Sequence, residues 1–201
     1  MMRRFLAFCL LWPTLALAQS LAAPHLTAND VLRGEFTETR VLKDLTAPLV
    51  SRGSFTIAPR YGLIWKVEHP FALTTTLTAE GLRQETQGME ATNLRAERLP
   101  FLGPLYHMLM GSLAGDIAPL HSQFEITQQG TPRAWKATLI PKPQASAMPF
   151  ARIEMEGGRF VTRVVMHKPD GETDRLLFRH QTLNRLPLTA AEQAAFGPVH
   201  P

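Results

Sequence analysis

The stretch from Gly53 to Phe71, GSFTIAPRYGLIWKVEHPF, limits the fold more than any other. Phe55 and Ile57 alternate with Ser54, Thr56 and Ala58. After the break Pro59-Arg60-Tyr61-Gly62, Leu63, Trp65 and Val67 alternate with Ile64, Lys66 and Glu68. Side chains repeat every two residues on a strand and every 3.6 on a helix, so both segments read as strands. Joined by so short a break, they predict a hairpin with one strongly apolar face. That face is either an ordinary core or the wall of a cavity for an apolar ligand. Alternation alone serves both.

The rest of the chain follows the same pattern with one interruption. GEFTETRVLKDL places Phe36 inward on an earlier strand. Before it, Thr27 to Asp30 reads as a short helix start, with Thr27 as cap. Leu73 and Leu77, then Leu82 to Thr86, continue the strands across the turn Ala79-Glu80-Gly81. From Pro104 to Gly115 the period switches: Leu105, Met108, Leu109 and Leu113 fall on one face of a helix. That stripe is either core or a cover for a ligand. Met108 suits an adaptable contact, because thioether side chains repack easily. A second short helix is expected after Asp116, with Pro119 early in it. Strands resume with Phe124 to Gln128, with Trp135, Ala137 and Leu139, with Ile153 and Met155, and from Phe160 to His167. Pro169-Asp170-Gly171 turns the chain into Arg175 to Arg179. Thr189-Ala190-Ala191-Glu192 is a capping box for a last short helix. Many short strands separated by turns predict an antiparallel meander in a single domain.

The first 18 residues read as something other than fold. Arg3 and Arg4 precede an apolar run, and Ala16-Leu17-Ala18 is a small-x-small cleavage pattern. The segment is a secretory signal peptide, cut before Gln19 and too short to span a bilayer. Residues 19–201 are the mature domain. Cys9, the one cysteine of the chain, lies inside the leader. The mature chain thus has no disulfide, thiolate nucleophile or cysteine-bound metal, and its about 183 residues must stand on their core alone. Removing Arg3 and Arg4 leaves 19 cationic against 17 anionic side chains. No basic cluster interleaved with aromatics points to nucleic acid. Catalysis is not expected either. The histidines are scattered without ligand spacing, and no Gly-x-Ser-x-Gly elbow or glycine-rich phosphate loop is present. No catalytic residue, metal site or cofactor is predicted.

Several pieces recur in a known order. They are GEFTETR, Arg52-Gly53-Ser54-Phe55, Pro59 with Leu63-Ile64-Trp65-Lys66-Val67 and His69-Pro70, and Ala79-Glu80-Gly81. The helical stripe Leu105 to Leu113, Leu139-Ile140-Pro141-Lys142 and Asp170-Gly171 follow. This ordered set, over roughly Val31 to Phe178, resembles the LolA-like family of periplasmic lipoprotein carriers. The resemblance implies an α+β fold: a strongly curved antiparallel half-barrel, with short helices as a lid over an apolar cavity. It implies a wall made of Phe36, Phe55, Ile57, Leu63, Trp65, Val67, Leu77, Trp135 and Leu139. Leu105, Met108, Leu109 and Leu113 would face them from the lid. The implied cargo is the acyl chains of lipoproteins or other lipids. It would be received from an inner-membrane exporter and passed to an outer-membrane acceptor by a soluble, monomeric, periplasmic protein of a Gram-negative bacterium.

This chain departs from the pattern at the latch. The family has an arginine directly before the proline, whereas this chain reads Ala58-Pro59-Arg60. Arg60 is the candidate replacement, as lid latch or head-group contact. The stretch to Trp65 is one residue longer and the first helix shorter, which marks a divergent branch. The other reading is a periplasmic lipid-sensing or regulatory module on the same fold, binding a membrane-protein partner and transporting nothing.

Overall fold

The computed structural model describes residues 26–87, 89–95, 118–143 and 148–197. Eleven strands form one antiparallel sheet. They are β1 (Asp30–Val41), β2 (Leu49–Ala58), β3 (Gly62–His69), β4 (Leu73–Leu77), β5 (Gly81–Thr86), β6 (Met89–Arg95), β7 (Phe124–Thr131), β8 (Ala134–Pro141), β9 (Arg152–Gly157), β10 (Val161–His167) and β11 (Thr173–Arg185). Their order is β6-β5-β4-β3-β2-β1-β11-β10-β9-β8-β7. Two meanders, β1 to β6 and β7 to β11, therefore meet at a single seam where the first strand pairs with the last. The sheet is not closed: among the described residues β6 and β7 each have one paired edge. A short 3-10 turn (Ala118–Ser122) precedes β7, and one α-helix, α1 (Ala190–Phe196), follows β11.

The fold is mostly β. The short helix expected after Asp116 is present as the 3-10 element, and the capping box at Thr189 does start α1. The short helix expected at Thr27 is a correction: Thr27 to Asn29 form a turn, and β1 begins at Asp30. The local signal was real. Asp30 Oδ2 accepts from the Thr27 amide at 2.8 Å and its hydroxyl at 2.6 Å. Strand pairing on both sides of β1 outweighs that turn, because Leu32 and Phe36 fall on one face and Val31 and Arg33 on the other.

Register assigns the two faces. Leu32, Ile57, Leu63, Leu77 and Leu82 run in one row across β1 to β5. Arg33, Thr56, Ile64, Thr76 and Arg83 form the adjacent row, pointing the other way. The first row belongs to a large apolar cluster, and Ile64 of the second to a smaller one with Val31, Ala58, Leu188 and Phe196. α1 covers the second face, with Phe196 against Tyr61 at a ring separation of 5.6 Å.

α1 is tied down by one carboxylate. Arg33 Nε and Nη2 each donate to Glu192 at 2.6 Å, and Thr56 donates to it at 3.1 Å. Glu192 also accepts from the Thr189 amide at 2.8 Å, completing the capping box. Arg83 Nη2 donates to the Ala195 carbonyl at the far end of α1, where helix carbonyls lack intrahelical partners. The Arg33 hydrogen bonds and then the Thr189 contacts hold the Glu192 carboxyl down to about 2, from 4.5 when free. A carboxyl depressed in the folded state stabilises above its unfolded value, and that stability is lost as pH falls through the folded one. We therefore expect Glu192 to stabilise the fold by on the order of 2 kcal/mol near neutrality, partly screened by solvent at Arg33, and to lose this between about pH 4.5 and 2. Urea unfolding of Glu192→Gln against the parent at neutral pH and at pH 3 checks it. The gap between the two should narrow in acid.

Candidate ligand-binding face

The larger cluster fills the face opposite α1 and crosses the seam. Its centre is aromatic. Phe36 stacks on Trp65 at 3.8 Å between ring centroids, with 24° between planes. Phe55 lies 6.2 Å from Trp65 in a similar orientation, and Phe178 meets both edge-on at 5.5 and 6.2 Å. Offset-stacked and edge-to-face pairs are the orientations that the ring quadrupole favours.

Two glycines make this packing feasible. Phe55 is paired with Gly34, and a Cβ there would stand 2.7 Å from the Phe55 ring. Gly53 lies between Phe36 and Val67 in the register, beside the irregularity at Arg52. A Cβ on Gly53 would stand 1.8 Å from the Lys66 carbonyl oxygen. The β1–β11 seam carries its own irregularity: Arg33 pairs with Thr182 and Glu35 with Arg179, so Gly34 faces two residues. His180, one of them, takes a left-handed φ of 51° to fit.

The other meander extends the same face. Phe124, Trp135, Ala137, Leu139, Ile153, Met155, Val161 and Val164 are all buried in the cluster. Trp135 donates its indole N–H to the Gly158 carbonyl at 2.9 Å, which satisfies its polar atom and leaves the ring apolar.

All nine residues predicted for the sheet wall are in this cluster. Phe36, Phe55, Ile57, Leu63, Leu77, Trp135 and Leu139 are buried, while Trp65 and Val67 are partly buried against them. The predicted lid residues Leu105, Met108, Leu109 and Leu113 lie outside the described residues. Arg60 sits in the β2–β3 turn, exposed to solvent. Sequence reasoning missed Leu32, Leu120, Val164 and Phe178 as members of the face. Phe178 had the clearest signal, since it stands two residues from Leu176 in the run LLF, but nothing local shows that it sits opposite Phe36. The α1 face was also missed. The capping box was legible, but the second use of Glu192 by Arg33, 159 residues away, was not. Among the described residues no group of three or more His, Cys, Asp or Glu is placed to hold a metal ion. A cavity of about 310 Å³ opens on the α1 side, lined by Thr76, Thr78, Arg83, Arg95 and Phe196 among others.

A family model described as outer membrane lipoprotein carrier protein LolA-like matches residues 15–196. The chain belongs to that family. Among solved structures, this LolA-like chain shares 10% identity with a LolA superfamily protein from Nitrosomonas europaea, over 81% of this chain and 90% of that one, at a TM-score of 0.43. It shares 13% with a chain of the MucA/MucB complex of Pseudomonas aeruginosa, over 86% of this chain and 59% of that one, at 0.42. With LprF from Mycobacterium bovis it shares 13%, over 81% and 88%, at 0.38. Comparison with curated protein sequences found no match.

Proposed function

We propose that this LolA-like chain is a periplasmic carrier that shelters the acyl chains of lipoproteins or other lipids against its aromatic face. The observation that carries the reading is the extent of that face: one contiguous apolar cluster spanning both meanders, centred on Phe36, Phe55, Trp65 and Phe178. In this reading the sheet is a half-barrel, and the helix predicted through Leu105, Met108, Leu109 and Leu113 is its lid. Arg60 latches that lid or meets a head group. Residues 1–18 direct export and are removed, and an inner-membrane exporter and an outer-membrane acceptor are the partners.

The energetics fit a shuttle. Burying each CH₂ is worth about 0.8 kcal/mol, so one acyl chain brings on the order of 10 kcal/mol. A lid that packs on the empty wall competes with cargo for the same surface, which keeps binding reversible. The aromatic rings would then face lipid in one state and lid in the other.

Native mass spectrometry of the protein taken gently from the periplasm, followed by lipid extraction, tests this. The expected result is a bound acylated species, lost in Leu109→Arg and in Trp65→Asp while the near-ultraviolet spectrum stays folded. A clean apo mass, with no uptake of added lipid or lipopeptide, would turn the reading to a regulatory module whose apolar face is simply core.

A further inference from the structure

The two ends of the sheet differ in kind. Eight large apolar side chains are strongly exposed among the described residues. Seven of them stand at one end: Val41, Leu45, Leu49, Val50, Phe71, Met89 and Ile140. Register puts Val41, Leu49 and Val50 on the β1–β2 hairpin beside the β3–β4 turn that carries Phe71, since Arg40 pairs with Leu49 and Arg52 with His69, while Met89 and Ile140 stand at the same end of more distant strands. The turns at the opposite end carry Arg60, Arg133 and Arg159, with Arg95 and Arg185 on the adjoining strand ends, all exposed.

We infer that the apolar end docks on the surface of a lipid bilayer, with the β1–β2 hairpin and the β3–β4 turn entering the boundary between head groups and acyl chains. The hairpin is apolar on both sides. Leu49 shares a face with Arg40, while Val50 pairs with Thr39 and points the other way together with Val41. β3 stops at His69, opposite Arg52, so β2 continues past it through Ser51, Val50 and Leu49. A protein partner covers one face of such a tip, whereas an interfacial medium surrounds it. Phe71, 82% exposed at the neighbouring turn, is of the aromatic class that enters this boundary. The charges beside the tips agree. Arg40 is matched by Glu38, Lys66 by Glu68 and Lys168 by Glu172, and Lys43 and Arg52 stand against Asp44 and Asp170, so this end is near charge balance and its attachment rests on apolar contact. Exposed apolar surface on this scale marks an interaction site rather than scatter. The inference stands whether or not the aromatic face carries cargo.

Vesicle flotation of the chain from Gln19 onward, which retains every described residue, tests it. Vesicles of phosphatidylcholine alone and of phosphatidylethanolamine with phosphatidylglycerol are used, each at low and high salt. Binding is expected to both, to persist at high salt, and to fall at least tenfold in the exposed-site triple variant Leu45→Ser, Leu49→Ser, Phe71→Ser. In Phe71→Trp the added indole is expected to shift blue on binding and to be quenched by lipid brominated near the head group. Binding to anionic vesicles alone, abolished by salt and unchanged in the triple variant, would assign contact to the arginine end and overturn the proposal. No flotation would overturn it too. So would self-association in sedimentation velocity that the triple variant removes, which would make the apolar end an interface between copies.

Discussion

Replacing Gly53 with alanine is expected to leave little folded protein at room temperature. The new methyl would stand 1.8 Å from the Lys66 carbonyl oxygen and within 3.0 Å of the Lys66 carbonyl carbon and the Val67 Cα. These are backbone atoms, so no side chain can rotate away. Relief requires β2 and β3 to part beside the bulge at Arg52, where Phe36 packs across Gly53 onto Trp65. Overpacking typically costs about 1–3 kcal/mol, and a clash this close with backbone atoms is expected to exceed that range, a large share of the roughly 5–15 kcal/mol of a domain. Gly171→Ala is the control. Gly171 has a left-handed φ of 91°, but nothing lies within 4 Å of its Cβ position. It should lose only about 1 kcal/mol of backbone strain. Circular dichroism and urea unfolding of both variants separate sterics from dihedral preference, and equal losses would contradict the account.

Phe55→Ala is the second large effect. Phe55 is 2% exposed, lies on Gly34, and meets Trp65 and Phe178 with its ring. Truncation opens a void that the strand beneath cannot fill, because Gly34 offers no side chain to collapse into it. The expected loss is about 3–5 kcal/mol, the upper range for a buried Phe. In a chain of this size the midpoint of thermal unfolding should fall by roughly 6–20 °C. Filling the void from below with Gly34→Ala in the same chain should recover part of the loss, because the clash that forbids alanine at Gly34 is with the Phe55 ring itself. The double variant being no more stable than Phe55→Ala would show that the cavity is not the cause.

Much of the sheet was legible because alternation is a local signal. Phe55 and Ile57, Leu63 to Val67, and Trp135 to Leu139 declare their faces within five residues each, and each lands on the predicted face. The seam was not legible. Which strand neighbours β1 depends on Phe36 meeting Phe178 and Leu32 meeting Leu183, and no local period encodes that choice. The turn at Thr27 misled for the opposite reason. Its Thr27 N–H to Asp30 bond is one half of a capping box, and pairing with β2 and β11 decides against the helix. The candidate face was therefore readable as a list of residues, but not as one surface. Its continuity comes from the seam.

That seam also sets an order of events. Glu35 and His180, neighbours across it, are 145 residues apart in the chain. Each meander can pair its own strands by short hairpins, but the strand that begins the sheet waits for the one that ends it. Until β11 arrives, Phe36 and Leu32 have an open edge beside them. The slow step of assembly is then expected to be the closing of this one long loop, whose entropic penalty is met only when β11 is present. A chain available only as far as β10 can form its local hairpins, yet its first strand still lacks the neighbour that joins the two halves of the sheet.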